Sequence, residues 1–257
     1  MAEGIAARAL PSPNPDNANV QISTNRRSMY GETYVSPVGN FRHMLADEAT
    51  YFRAGNPTPG TGIQLSANVT AFSDTNGLFV IQNTVAAGTA NGKRIYMDYL
   101  RLNLLATAPT ATVSMEFAFK KSAISREPTT AANRTVLTAA SMREGAGLAS
   151  IGTYMSYANA GAMTVPASVA ANKFVGRCTI PTGLGIAGDE YIVQFGADAL
   201  SVWQGGAAVR ATDVARRGTV APPIVIDPGE WLVIHMWWLT AATTAATFEF
   251  ELGMWER

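Results

Sequence analysis

Hydrophobic and polar positions follow a strand-like pattern along much of this chain, most plainly near its C-terminal end. From Trp231 to Leu239 every position except His235 is apolar. Trp231, Val233, Trp237 and Leu239 fall on one face of an extended chain, and Leu232, Ile234, Met236 and Trp238 on the other. A strand apolar on both faces belongs in the middle of a sheet whose two sides are covered. Before it, Ile224–Ile226 reads as a short strand and Asp227-Pro228-Gly229 as a turn, with proline pre-setting φ and glycine free to take φ > 0. After it, Phe248, Phe250 and Leu252 alternate with Glu249 and Glu251, the signature of a half-buried strand with one wet face. This is the densest apolar block in the chain, so loss of even the last dozen residues is expected to unfold the domain.

Upstream, the pattern predicts further strands: Leu78–Thr84 after the Asn76-Gly77 turn, Ile95–Leu105, Lys173–Ile180 and Glu190–Phe195, with weaker ones at Arg134–Ala140, Leu148–Tyr157 and Leu200–Arg210. Val113, Met115, Phe117 and Phe119 alternate with Ser114, Glu116, Ala118 and Lys120, the cleanest period of two in the chain. With the preceding strand it predicts an antiparallel hairpin over Ile95–Lys120, while Asp213–Gly218 reads as a polar loop. The sum is about eight to ten strands with no long helix and no internal repeat. That pattern is all-β: a β-sandwich of the jelly-roll kind with long loops, over residues 67–257.

Residues 1–66 differ. Prolines at 11, 13, 15, 37, 57 and 59 punctuate them, and only Phe41–Arg53 has the apolar spacing of a short helix. Met29, Tyr30, Tyr34, Tyr51 and Phe52 give the segment more apolar surface than a passive linker needs. It reads as an extended arm that docks on its own domain or on a neighbour, the alternative being a flexible tail.

Composition narrows the function. The 257 residues carry 19 basic and 19 acidic side chains, and charged residues make up 15% of the chain, against about 25% in an average domain. A surface this poor in charge suits faces covered by partners better than a free monomer. Coating of nucleic acid needs concentrated Lys and Arg and is not expected. The single cysteine, Cys178, excludes an internal disulfide framework and a cysteine-cluster metal site. The opening MAEGIAARALPSPNPDN lacks a signal-peptide core, and no run approaches the roughly 18 apolar residues of a membrane span. Synthesis in a reducing cytoplasm and no membrane partner are therefore expected.

Catalytic patterns are weak. Gly183, Gly185 and Gly188 satisfy G-x-G-x-x-G, but Pro181 precedes them and a strand, not a helix, follows, so the motif reads as a turn. His43 and His235 are the only histidines; no G-x-S-x-G elbow and no paired-histidine spacing accompanies them. His235, inside the aromatic strand, reads as a satisfied core or interface residue. Asp189-Glu190 and Glu249/Glu251 are the acidic pairs from which a glycosidase reading starts, and they read better as solvated or interface carboxylates. No catalytic residue, cofactor or metal is expected.

The ending P-P-I-V-I-D-P-G-E-W-L-V-I-H-M-W followed by F-E-F-E-L-G-M-W-E-R, together with the arm and the loop-rich strands, resembles virion structural proteins of bacterial viruses. The likeness is to small jelly-roll capsid and decoration subunits, strongest over 222–257. It implies a homo-oligomeric subunit of a virion, made in the host cytoplasm, that contacts copies of itself and other virion proteins without catalysis. Candidate contact residues are Arg26, Arg27, Met29, Tyr30 and Tyr34 in the arm, with Trp203, Arg216 and Arg217 in the late loops. Two other readings share the fold: a phage tail, receptor-binding or carbohydrate-binding module, and a β-sandwich hydrolase working through Asp189.

Overall fold

The computed structural model describes residues 26–27, 33–34, 42, 45–46, 48–56, 58–64, 71–106, 113–127, 134–143, 149–157, 163, 172–183, 187–197, 216–239 and 246–257. The chain divides into two compact units, residues 1–48 and 49–257. In the first, β1 (Arg26–Arg27) and β2 (Thr33–Tyr34) form a two-stranded antiparallel ladder, with Arg26 opposite Tyr34 and Arg27 opposite Thr33. Arg42, Leu45 and Ala46 are helical.

The second unit is all-β and holds two sheets. Its strands are β3 (Tyr51–Gly55), β4 (Ile63–Gln64), β5 (Phe79–Asn83), β6 (Ile95–Ala106), β7 (Val113–Ser122), β8 (Arg134–Leu137), β9 (Ala139–Ser141), β10 (Gly152–Tyr157), β11 (Asn172–Gly183), β12 (Glu190–Phe195), β13 (Arg216–Ala221), β14 (Val225–Ile226), β15 (Trp231–Trp238) and β16 (Thr247–Glu256). One sheet runs β11-β7-β15-β5-β10-β8. The other runs β13-β12-β6-β16-β3-β9, with β14 and β4 pairing β6 and β16 off that path.

The apolar run of β15 lies between β7 and β5, and all its residues are buried, as a strand apolar on both faces must be. Leu232, Ile234, Met236 and Trp238 enter the main core, whereas Trp231 and Val233 join Val80, Met155 and Met163 on the opposite face. The two sheets share that main core: the Phe79 and Phe250 rings, one from each sheet, lie 4.5 Å apart, and Phe119 meets Phe195 edge-on at 5.1 Å. β16 is interior to its sheet, between β6 and β3, with Phe248, Phe250 and Leu252 inward and Glu249 and Glu251 toward solvent.

Several expectations change. β6 and β7 are not a hairpin. β6 pairs with β12, β14 and β16, and β7 pairs with β11 and β15, so these two consecutive strands lie in different sheets. The reason is burial: both strands carry an apolar face, and each meets the shared core from its own side. The helical spacing over Phe41–Arg53 ends early, because Tyr51–Gly55 pairs with β16, burying Phe52 and Ala54. The sheet unit therefore takes in residues assigned to the arm, Ile63–Gln64 included, and the compact boundary falls at 48/49 rather than 66/67. Arg216 and Arg217 open β13, which runs parallel to β12, instead of lying in a loop. Gly188, at φ 94°, turns the chain into β12, consistent with a turn at the glycine motif. The strand expected at Leu200–Arg210 lies outside the described residues.

Candidate functional site

The outer face of the six-stranded sheet carries a partly buried polar cluster around Asp74, in the segment leading to β5. Lys120 of β7 places Nζ 2.5 Å from Asp74 Oδ2, and Asn172 of β11 donates to the same oxygen at 3.2 Å. Arg126, fully buried, donates from one terminal nitrogen to the Asp74 carbonyl at 2.8 Å and lies 3.5 Å from Oδ1. His235 of β15 donates Nδ1–H to the Asn76 carbonyl at 2.8 Å, which fixes its neutral tautomer, and its Nε2 lies 3.8 Å from Asp74 Oδ1. Burial holds this imidazole down at about 4, with the Arg126 and Lys120 charges adding to the effect and the Asn76 carbonyl and Asp74 opposing it. Burial pushes the Asp74 carboxyl up, but Lys120, Arg126 and His235 together outweigh it and leave it below its ordinary value.

Chemically this is a clamp. It pins the chain around Asp74 onto β7, β11 and β15, and Lys120 also sits over the Phe72 and Phe174 rings, 5.5 and 4.6 Å from their centroids. His235 is thus held as a core residue, its neutral side chain set among Asn76, Asp74 and the Phe72 ring.

Beside the clamp, Ala71, Phe72, Ala118, Phe174, Arg177, Trp237 and Leu239 line an open cleft of about 360 Å³. Glu116, nearly buried, accepts from Arg177 at 3.1 Å and from the Thr179 hydroxyl at 2.9 Å. This holds the guanidinium at the rim, 5.6 Å from the centroid of the Trp237 ring.

The sheet edges form the third feature. β8 ends the six-stranded sheet and β9 ends the eight-stranded one, and only Thr138 separates them. One continuous segment therefore edges both sheets. Residues 135–142, TVLTAASM, contain no charge and no proline, and Val136 and Met142 are 57% and 43% exposed. The opposite edges are β11 and β13, where Pro222, just after β13, lies against Gly176 of β11. β11 carries Lys173, Arg177, Pro181 and two register shifts, and β13 opens with Arg216 and Arg217.

Of the expected contact residues, Arg26 and Tyr34 are brought opposite each other in the first unit. Arg216 and Arg217 lie beside Glu190 and Tyr191 across the β12–β13 ladder. Met29, Tyr30 and Trp203 lie outside the described residues. Asp189 is buried and accepts from the Tyr191 hydroxyl at 3.4 Å, while Glu190 lies 3.5 Å from Arg101, so neither is a solvated carboxylate of a cleft pair. Glu251 is engaged by Arg53 at 2.6 Å, by Arg101 at 3.0 Å and by the Tyr99 hydroxyl. Among the described residues no group of three or more His, Cys, Asp or Glu is placed to hold a metal ion.

Sequence reading missed Asp74, Lys120 and Arg126 because their pairing joins residues 46 and 52 positions apart, and missed the 134–143 edge because small residues there give a weak strand pattern. Comparison with protein-family models, curated proteins and solved structures finds no match.

Proposed function

We propose that this chain is a structural subunit of a bacterial-virus particle, a capsid or capsid-decorating protein that works by self-assembly, and that its two sheets form a β-sandwich of the jelly-roll kind. The observation that carries the reading is the uncharged edge at residues 135–142, shared by both sheets. Edge strands of free monomers are normally blunted by Lys, Pro, bulges or inward charges, because unpaired backbone groups template association. Here β11 and β13 carry such charges, a proline and bulges, whereas the segment that edges both sheets has Arg134 at its start and no charge or proline from 135 to 142, its two strands being only four and three residues long. The low charge of the chain, its separate N-terminal unit and the resemblance of its C-terminal segment to virion proteins point the same way. Its partners would be copies of itself and other virion proteins, met in the host cytoplasm. Electron microscopy of the purified full-length chain tests this: rings, shells or lattices are expected, and dispersed single molecules at high concentration would contradict it.

The cleft beside Trp237 favours a second reading, a binding module of a phage tail or a carbohydrate-binding domain. Phe174, 59% exposed, and the Arg177–Glu116 pair combine an apolar face with oriented polar groups, as small-ligand sites do. Retention on a glycan array, lost in Phe174→Ala, would favour this reading over assembly.

A further inference from the structure

We infer that β8 pairs antiparallel with β8 of a second copy of this chain across a two-fold axis, joining the six-stranded sheets of two molecules edge to edge; this deepens, and rests on, the assembly reading. β8 is hydrogen-bonded on one side only: its register runs Arg134 opposite Tyr157 to Leu137 opposite Tyr154, and among the described residues no strand lies on its far side. The chain then leaves for the other sheet at Thr138, and among the described residues no element pairs with the free side of β8. A free strand edge takes an extended partner through main-chain hydrogen bonds.

The sequence of the strand argues for a second copy as that partner. A two-fold antiparallel pairing places residue i against residue j and j against i. Centred on Val136, it sets Val136 against Val136 and Thr135 against Leu137 of the other copy, and a β-branched pair such as Val136 with Val136 is favourable across strands. Arg134 then meets a neutral residue, and its guanidinium lies 3.4 Å from Glu127 of its own chain, so no like charges oppose. Neither β11, with Lys173, Arg177 and Pro181, nor β13, with its Arg pair, offers an edge that can pair with itself this way.

The test uses full-length chains. Val136→Lys puts a charge at the centre of the pairing; because Val136 is 57% exposed, its melting temperature should match the parent's. Val136→Cys supplies a reactive thiol at the axis, and the native Cys178 is buried. The pairing predicts loss of the largest assembled species in Val136→Lys and disulfide-linked dimers of Val136→Cys on mild oxidation, seen on a denaturing gel. Assembly unchanged in Val136→Lys, with no crosslink in Val136→Cys, would overturn the β8 pairing while leaving the assembly reading standing. Loss of assembly without the crosslink would put another segment on this edge and overturn the two-fold pairing. A parent chain that is monomeric at every concentration would overturn both.

Discussion

Lys120 Nζ lies 2.5 Å from Asp74 Oδ2, and the carboxylate it meets is also approached by Arg126, Asn172 and His235. The two sides of this contact are unequal. Removing Asp74 leaves Lys120 and Arg126 buried without their shared anion, whereas removing Lys120 leaves a partly exposed carboxylate with Arg126 and Asn172 still beside it. Asp74→Ala should cost about 3 kcal/mol, in the range for breaking one partner of a buried pair, and Lys120→Met less than half of that. Denaturant unfolding of both variants checks the order, and a larger loss in Lys120→Met would refute the clamp.

His235 gives the clamp a pH dependence. Its folded value, about 4, lies below the ordinary 6.5, so the unfolded chain binds the extra proton first as pH falls. Its contribution is complete above about 6.5, declines between there and 4, and is gone below, a change of about 3 kcal/mol. Asp74, also lowered, adds its own loss only below the ordinary carboxylate range. Glu256 works in the opposite sense: burial raises it, so the stability linked to its protonation is present in acid and lost as pH rises. Comparison with His235→Gln isolates the histidine. The difference in unfolding free energy between the two proteins should shrink from pH 7 to pH 4, and a constant difference would show that the imidazole does not titrate in this window.

Gly253 is required by packing. A Cβ there would stand 2.3 Å from Tyr99 Cε1 and 2.7 Å from Tyr51 Oη, and both tyrosines are held, Tyr99 by Glu251 and Tyr51 by Asp98 at 2.6 Å. Asp98 is the extra residue of a bulge in β6 opposite the Gly253–Met254 step. Gly253→Ala should destabilise by about 1–3 kcal/mol, as overpacking does. A thermal melt unchanged from the parent's would mean that the tyrosines are free to move aside.

How much of this could be read beforehand follows from the reach of each signal. β15 was legible because burial on both faces leaves an unbroken apolar run, and β16 because Phe248, Phe250 and Leu252 alternate with glutamates. The pairing partners were not legible. Nothing local in Pro109 or its neighbours separates a hairpin turn from a passage between sheets, and the choice is made by a core that assembles from both sides. Phe52 fits a helical spacing with Leu45 and Ala49 until β3 pairs with β16. Asp74 stands in a polar turn sequence, and only the fold brings Lys120 and Arg126 to it. The contrast between the charged edges and the charge-free stretch 135–142 likewise needs the strand order before its residues mean anything.

Self-assembly is the central claim, and the mass of the full-length chain in solution tests it most directly. Light scattering over a wide concentration series should give defined multiples of the monomer, rising to large particles as concentration increases. A single monomeric mass at every concentration would contradict it.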